Sequence, residues 1–303
     1  MNKILITGGA GFIGSSIYKK FQSNNDEIFV IDNLSFGNRA FIDIDDDHFF
    51  EVDIRDFNTL DKTLKQIQPD YIIHLAAIHF IPYCNKHPFE ASEINIAGTV
   101  NLLKSVRSLN SVKRLFFAST AAVYPILDNP IAETSTLKPL DIYGHTKLMG
   151  EHLFYDNHLI TKIPTVVCRF FNAFGPNETN PHLIPEIADQ INAGQRTIQL
   201  GNLTPKRDFI HTYDMAEAVF GLMHKFDKGY DVFNLGRGEE YSVTEIVDYF
   251  SAALGEKVSI EVDEARVRKV ERMHLLADIT KLKSFINWEP VIKPEEGIKT
   301  LLK

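Results

Sequence analysis

Cysteine is almost missing from this chain: Cys84 and Cys168 are the only two among 303 residues. That excludes a disulfide framework and suits a reducing, cytoplasmic compartment. Neither has a histidine or second cysteine at metal-ligand spacing, so both read as buried packing residues and no metal is expected. Long apolar runs are missing too. Ile4-Leu5-Ile6 gives way to glycines before reaching signal-peptide length, and Tyr71–Tyr83 is interrupted by His74, His79 and Pro82. A soluble protein without a membrane partner is expected. There is no excess of positive charge, with 32 Lys and Arg against 40 Asp and Glu for a net −8. This argues against nucleic acid or an anionic surface as the main partner; a phosphate-bearing ligand would need local basic groups. Repeats and low-complexity segments are absent, and the longest acidic run, Asp43–Asp47, reads as a solvated loop.

What is present is enough chain for a large core in one or two domains, at an ordinary 44% hydrophobic residues. In the first half, short apolar runs alternate with amphipathic ones, the rhythm of parallel βαβ units. Predicted strands are Lys3–Thr7, Glu27–Ile31, Phe49–Val52, Tyr71–Leu75, Arg114–Ala118 and Thr165–Arg169. Predicted helices are Phe12–Gln22, Thr59–Ile67, Glu90–Leu109 and Tyr143–Leu159. Gly8, Asp32, Asp53, Ala76, Ser119 and Asn172 all fall just past predicted strands, where such sheets place their ligands.

The rhythm loosens after Asn172. Helices at Leu183–Ala193, Tyr213–Lys225 and Val243–Ala253 are interspersed with strands near Thr197–Leu200 and Asp231–Leu235. Ser242-Val-Thr-Glu245 is a capping box opening the last of these helices. The expected fold is α/β, a Rossmann-like doubly wound parallel sheet (residues 1–170, with return elements at about 209–236). A smaller C-terminal substrate-binding lobe would span residues 171–303.

The opening Gly8-Gly-Ala-Gly11-Phe-Ile-Gly14 follows a strand and starts a helix. Glycine there permits a tight turn, lets backbone amides approach a pyrophosphate, and lets helix and strand pack closely. The helix N-terminus then faces phosphate charge. Asp32 ends the second strand, where a carboxylate accepts from adenosine ribose hydroxyls and repels a 2′-phosphate; NAD is favoured over NADP. Tyr143-Gly-His-Thr-Lys147 puts a phenol and an ammonium on one helical face. A free phenol, with a pKa of about 10, is a poor base at neutrality, and a nearby cation favours the phenolate.

With Ser119-Thr120 between them, these motifs resemble those of the extended short-chain dehydrogenase/reductases, in the nucleotide-sugar epimerase/dehydratase branch. The pattern is most similar to the UDP-sugar 4-epimerases and runs from Thr7-Gly8 to Trp288-Glu-Pro290. The resemblance implies NAD held at Gly8, Gly11, Phe12, Ile13, Gly14, Asp32 and Asn33, with Asp53-Ile54 at the adenine. Leu75-Ala76-Ala77 would line the cofactor; His79 stands where 4-epimerases often carry lysine; Asn95 would contact or brace the site. Counting back from Val123-Tyr124, the catalytic hydroxyl maps to Thr120, which hydrogen-bonds the sugar oxygen. Tyr143 would be the base, and Lys147 would bind the nicotinamide ribose and, with the positive nicotinamide ring, lower the phenol's pKa.

Related dehydratases carry an Asp-Glu pair after the catalytic hydroxyl; here Ala121-Ala122 cannot transfer protons, which favours epimerisation or simple redox. Asn172 would contact the substrate diphosphate and His182-Leu183 border the nucleotide. Arg207, Arg268 and Glu271 match positions that bind phosphate and ribose. The short loop Leu203–Lys206, and Pro125 in place of the usual glycine, leave the sugar open. A homodimer through Glu90–Leu109 and Gly144–Leu159 is implied by the family. The leading expectation is a nucleotide-sugar 4-epimerase. The alternatives are a 4-keto reductase or dehydrogenase with net redox turnover, and a non-catalytic NAD-binding protein.

Overall fold

The computed structural model describes residues 2–24, 26–267 and 272–302. Seven strands form one parallel sheet: β1 (Lys3–Thr7), β2 (Glu27–Asp32), β3 (Phe49–Glu51), β4 (Tyr71–His74), β5 (Arg114–Thr120), β6 (Thr165–Phe170) and β10 (Tyr230–Leu235). Their order is β3-β2-β1-β4-β5-β6-β10. The order reverses between β1 and β4, which opens a crevice at the carboxyl ends of the strands. Every residue of β5 is buried, as a central strand covered on both faces requires.

Helices cover the two faces with separate cores. On one side α1 (Phe12–Gln22) and α8 (Thr212–Lys225) pack Ile17, Phe21, Met215 and Leu222 against the sheet. On the other, α2 (Phe57–Ile67), α5 (Thr99–Val106) and α6 (Ile142–Thr161) supply Leu60, Leu64, Leu102 and Phe154. Helix α2 starts two residues before its predicted Thr59, because the Asp56 side chain accepts from the Asn58 and Thr59 amides. The predicted helix Glu90–Leu109 is divided. Short helices α3 (Ile81–Lys86) and α4 (Pro88–Ser92) lead into a π-helical turn, Glu93–Gly98, before α5.

The C-terminal region builds a third core around α7 (Leu183–Asn192) and α9 (Val243–Leu254), including Ile187, Val247 and Phe250. The capping box of α9 is formed, and Gly255 ends the helix in the left-handed region at φ 69°. Strands β7 (Asn172–Phe174), β9 (Lys206–His211) and β11 (Glu240–Ser242) make a small sheet, and β8 (Thr197–Leu200) pairs with β12 (Ser259–Val262). Of the expected return elements, α8 and β10 rejoin the main sheet. The start of that range belongs to β9, which pairs with β7 and β11 instead. Short α10 (Thr280–Ile286) and α11 (Pro294–Gly297) complete the chain.

A buried polar network crosses the sheet. The Arg169 guanidinium donates to both carboxylate oxygens of Glu151, at 2.9 and 2.7 Å, and to the Tyr124 hydroxyl at 2.8 Å. That hydroxyl donates to Asn234 Oδ1 at 2.8 Å. The network ties α6, β6 and β10 together. Arg169→Met leaves the Glu151 carboxylate buried without its partner, and should cost about 3–5 kcal/mol of stability in urea unfolding. A loss under 1 kcal/mol, the size seen for an exposed pair, would show the network is not holding α6 to the sheet.

Candidate functional site

A cavity follows the crevice at the carboxyl ends of the strands, from Gly8 to Tyr143 and Lys147. At one end lie Gly8, Gly11, Phe12, Ile13 and Gly14. A Cβ on Gly14 would come 2.1 Å from the Gly8 carbonyl oxygen, and one on Gly8, at φ +75°, 2.8 Å from the Ala76 nitrogen. No side chain fits, so turn and helix close onto the neighbouring strand. Gly11 caps α1 without a side-chain hydrogen bond, leaving the first amides of the helix free to meet an anion.

Asp32 and Asn33 border the next part of the cavity. The Asp32 carboxylate accepts from the Ala10 and Leu34 amides at 3.0 and 2.9 Å, which fixes its direction. Burial pushes its pKa up while these two bonds oppose the shift. Asp53 and Ile54 follow, and there the Arg55 guanidinium holds the Asp53 carboxyl down at about 2. Asn33 donates to the same carboxylate at 3.0 Å. The backbone of Leu75, Ala76 and Ala77 lines the middle.

Asn95 differs from expectation. Its amide is committed to the backbone of Ile78, accepting at 2.8 Å and donating at 3.0 Å, and to the Thr146 hydroxyl at 3.0 Å. It is buried outside the cavity lining, so of the two expected roles it has the brace and not the contact.

The far end holds Tyr143, Lys147 and His79. Thr120 ends β5, and its Oγ1 accepts from the Ala122 amide at 3.1 Å. Ser119 lines the cavity, but its hydroxyl is bonded to Glu151. Thr120 lies outside the residues lining the cavity, close enough to Tyr143 to act on its phenol. Burial pushes the Tyr143 phenol above its ordinary value, with Thr120 acting in the opposite sense. Lys147 lies one turn further along α6. Its ammonium donates to the Ala118 carbonyl at 2.8 Å and lies 6.0 Å from the centre of the tyrosine ring. Burial pushes Lys147 itself down to about 7.

His79 lies beside Asn180, whose Nδ2 is 3.2 Å from its Nε2, and stacks on His182 with ring centres 5.6 Å apart. Burial, with His182 and Lys147 acting in the same sense, pushes it down to about 3, so it carries no charge near neutrality.

The expected substrate residues sit on the lobe side. Asn172 begins β7, while His182 caps α7 and Leu183 is its first residue. Arg207 donates to the Arg272 carbonyl at 2.6 Å, and Arg268 and Glu271 are the other two expected substrate residues. Those two residues lie outside the described part of the chain.

Sequence reasoning missed the segment from Asn177 to Asn180. Asn177 donates to Ser15 of α1, Thr179 donates to the Phe36 carbonyl beyond Asp32, and Thr179 lines the cavity. Burial holds Glu178 up at about 7. Nothing in Pro176-Asn-Glu-Thr-Asn-Pro181 signals more than a turn, since its partners come from distant strands.

A family model described as GDP-mannose 4,6 dehydratase matches residues 5–301. A putative UDP-glucose 4-epimerase of Methanocaldococcus jannaschii is 32% identical over 99% of this chain and 97% of its own length. The UDP-glucose 4-epimerase of Bacillus subtilis is 31% identical over 94% and 91%. Among solved structures, the Thermotoga maritima UDP-glucose 4-epimerase with UDP-glucose superposes at a TM-score of 0.90. It is 28% identical, with 99% of this chain and 97% of that one covered. The chain belongs to the nucleotide-sugar epimerase/dehydratase family. Tyr143 and Lys147 lie on α6, and Ala121-Ala122 follow Thr120 at the end of β5. There the two alanines form a 3₁₀ turn, and an added Cβ on Gly144 would meet the Ala122 carbonyl at 2.5 Å.

The buried Lys147 links stability to pH. Its pKa falls from 10.5 unfolded to about 7 folded, so between those values the unfolded chain binds the extra proton and stability rises with pH. In urea unfolding of the cofactor-free protein, wild type should gain more stability from pH 7 to pH 9 than Lys147→Met. Equal gains would mean that Lys147 keeps its charge in the folded site.

Proposed function

We propose that the chain is an NAD-dependent nucleotide-sugar 4-epimerase acting on UDP-glucose and UDP-galactose or a related UDP-sugar. The observation that carries this reading is Tyr143 and Lys147 at one end of a cavity that begins at the Gly8–Gly14 turn, with Thr120 beside Tyr143. Alanines stand where the dehydratases carry acid and base. The names of the relatives support the UDP-sugar, as UDP-glucose, UDP-glucuronate and UDP-N-acetylglucosamine 4-epimerases occur among them.

The glycine turn and the first amides of α1 hold the pyrophosphate of NAD, Asp32 its adenosine ribose, and Asp53-Ile54 its adenine. Bound NAD supplies a reversible hydride acceptor. Tyr143 takes the proton of the C4 hydroxyl and returns it, while Thr120 orients that oxygen. Lys147, already desolvated, holds the nicotinamide ribose. Asn172, His182-Leu183 and Arg207 hold the nucleotide diphosphate from the lobe side, the arginine suiting phosphate oxygens. In this assignment residues 1–170 with α8 and β10 are the cofactor domain, and residues 171–303 are mainly the substrate lobe.

We also place the protein in the cytoplasm as a homodimer. Helices α4, α5 and α6 leave Phe89, Val100, Met149 and Tyr155 exposed, an apolar surface that a second copy would cover. No described helix is long and apolar enough to cross a membrane.

Incubating the protein with UDP-galactose and following the sugar by NMR should show UDP-glucose. Tyr143→Phe, folded by circular dichroism, should lose about 10²–10⁴-fold in turnover. Near-normal turnover in that variant would take the base role from Tyr143, and a net oxidised or reduced sugar would favour a dehydrogenase or reductase.

A further inference from the structure

His79 follows β4, whereas Glu178 and His182 belong to the segment between β7 and α7, yet the fold brings the three together. One donor atom from each lies within 4.8 Å of the other two. His79 Nε2 is 4.0 Å from Glu178 Oε1, and the Glu178 side chain is only 4% exposed. The amide nitrogen of Asn180 lies 3.2 Å from the same His79 nitrogen, a contact that an ion bound there would displace.

We propose that His79, Glu178 and His182 bind a divalent transition-metal ion, Zn²⁺ foremost, at the rim of the cavity. Two imidazoles and one carboxylate are a zinc donor set, while calcium and magnesium call for oxygen ligands. Zinc–ligand bonds of about 2.0–2.2 Å place tetrahedral donors about 3.4 Å apart, so the cluster closes by about 1 Å on binding. Side-chain rotation in partly exposed loops supplies that movement. Three protein ligands leave a fourth position open to water or to a ligand oxygen.

The placement gives the ion a consequence. Asn177 already reaches Ser15 and Thr179 reaches Phe36, so this segment crosses beside the cofactor cavity. An ion on Glu178 and His182 fastens the segment to the loop after β4 through His79. The ion thereby reduces the freedom of the cavity rim. This site is the opposite of the sequence expectation of no metal, because its ligands come from two segments with no common spacing.

The test uses purified protein with NAD bound, its affinity tag removed and its metals stripped. Calorimetric titration with Zn²⁺ should show one saturable site per chain. His79→Ala, Glu178→Gln and His182→Ala should each weaken it by at least about tenfold. Thermal unfolding without metal identifies any variant that fails to fold. The visible spectrum of Co²⁺-loaded wild type decides without variants, since a strong four-coordinate absorption supports the site and the pale spectrum of the aqueous ion overturns it. Saturable zinc binding that survives all three substitutions, or none in wild type, also overturns it. No catalytic activity is measured, so the result stands apart from the epimerase reading.

Discussion

The docking of α6 on β5 is the contact on which the site depends. Gly144, Lys147, Gly150, Glu151 and Phe154 fall on one face of that helix, at the spacing of successive turns. A Cβ on Gly150 would sit 2.3 Å from Phe117 Cζ, so the helix rests directly on the aromatic side chain of the strand. Lys147 donates to the Ala118 carbonyl, and Glu151 takes the Ser119 hydroxyl and the Arg169 guanidinium. The phenol of Tyr143 is held beside Thr120 because everything one and two turns further along is fixed to β5. A buried carboxylate is tolerable there only because arginine and serine satisfy it.

That docking also sets the charge state of the site. Desolvation raises Tyr143 and lowers Lys147, so the ligand-free pocket inclines both groups to their neutral forms. The capacity to move a proton therefore depends on what enters the cavity, rather than on a tyrosine–lysine ion pair formed in advance. His79 is likewise held neutral. A charge or dipole arriving beside these desolvated groups acts more strongly than it would in water.

Much of the cofactor half could be read from the chain, because its determinants are local. Apolar runs bounded by turn residues marked the strands of the main sheet, and Gly8, Gly11 and Gly14 can be explained by one tight turn. Asp32, Asp53 and Ala76 fell on the ligand edge because each follows a parallel strand. The lobe was less legible. Strands as short as Asn172–Phe174 and Glu240–Ser242 exist by pairing with β9, a partner distant in sequence. The turn of π-helix at Glu93–Gly98 breaks a continuous helical pattern with no residue that announces it. The direction of the Lys147 ammonium was also hidden, since helical spacing places it near Tyr143 but does not choose between phenol and carbonyl. The meeting of His79 with Glu178 and His182 is a property of the closed fold alone.

The central claim is that one enclosed site removes and restores hydrogen at C4 of the sugar, with Tyr143 handling the proton. The direct measurement follows a UDP-hexose deuterated at C4, turned over with a catalytic amount of NAD. The account predicts the C4 epimer with its deuterium retained, and no accumulation of reduced cofactor. Label lost to the bulk cofactor pool, stoichiometric NADH, or a 4-keto-6-deoxy product would contradict it.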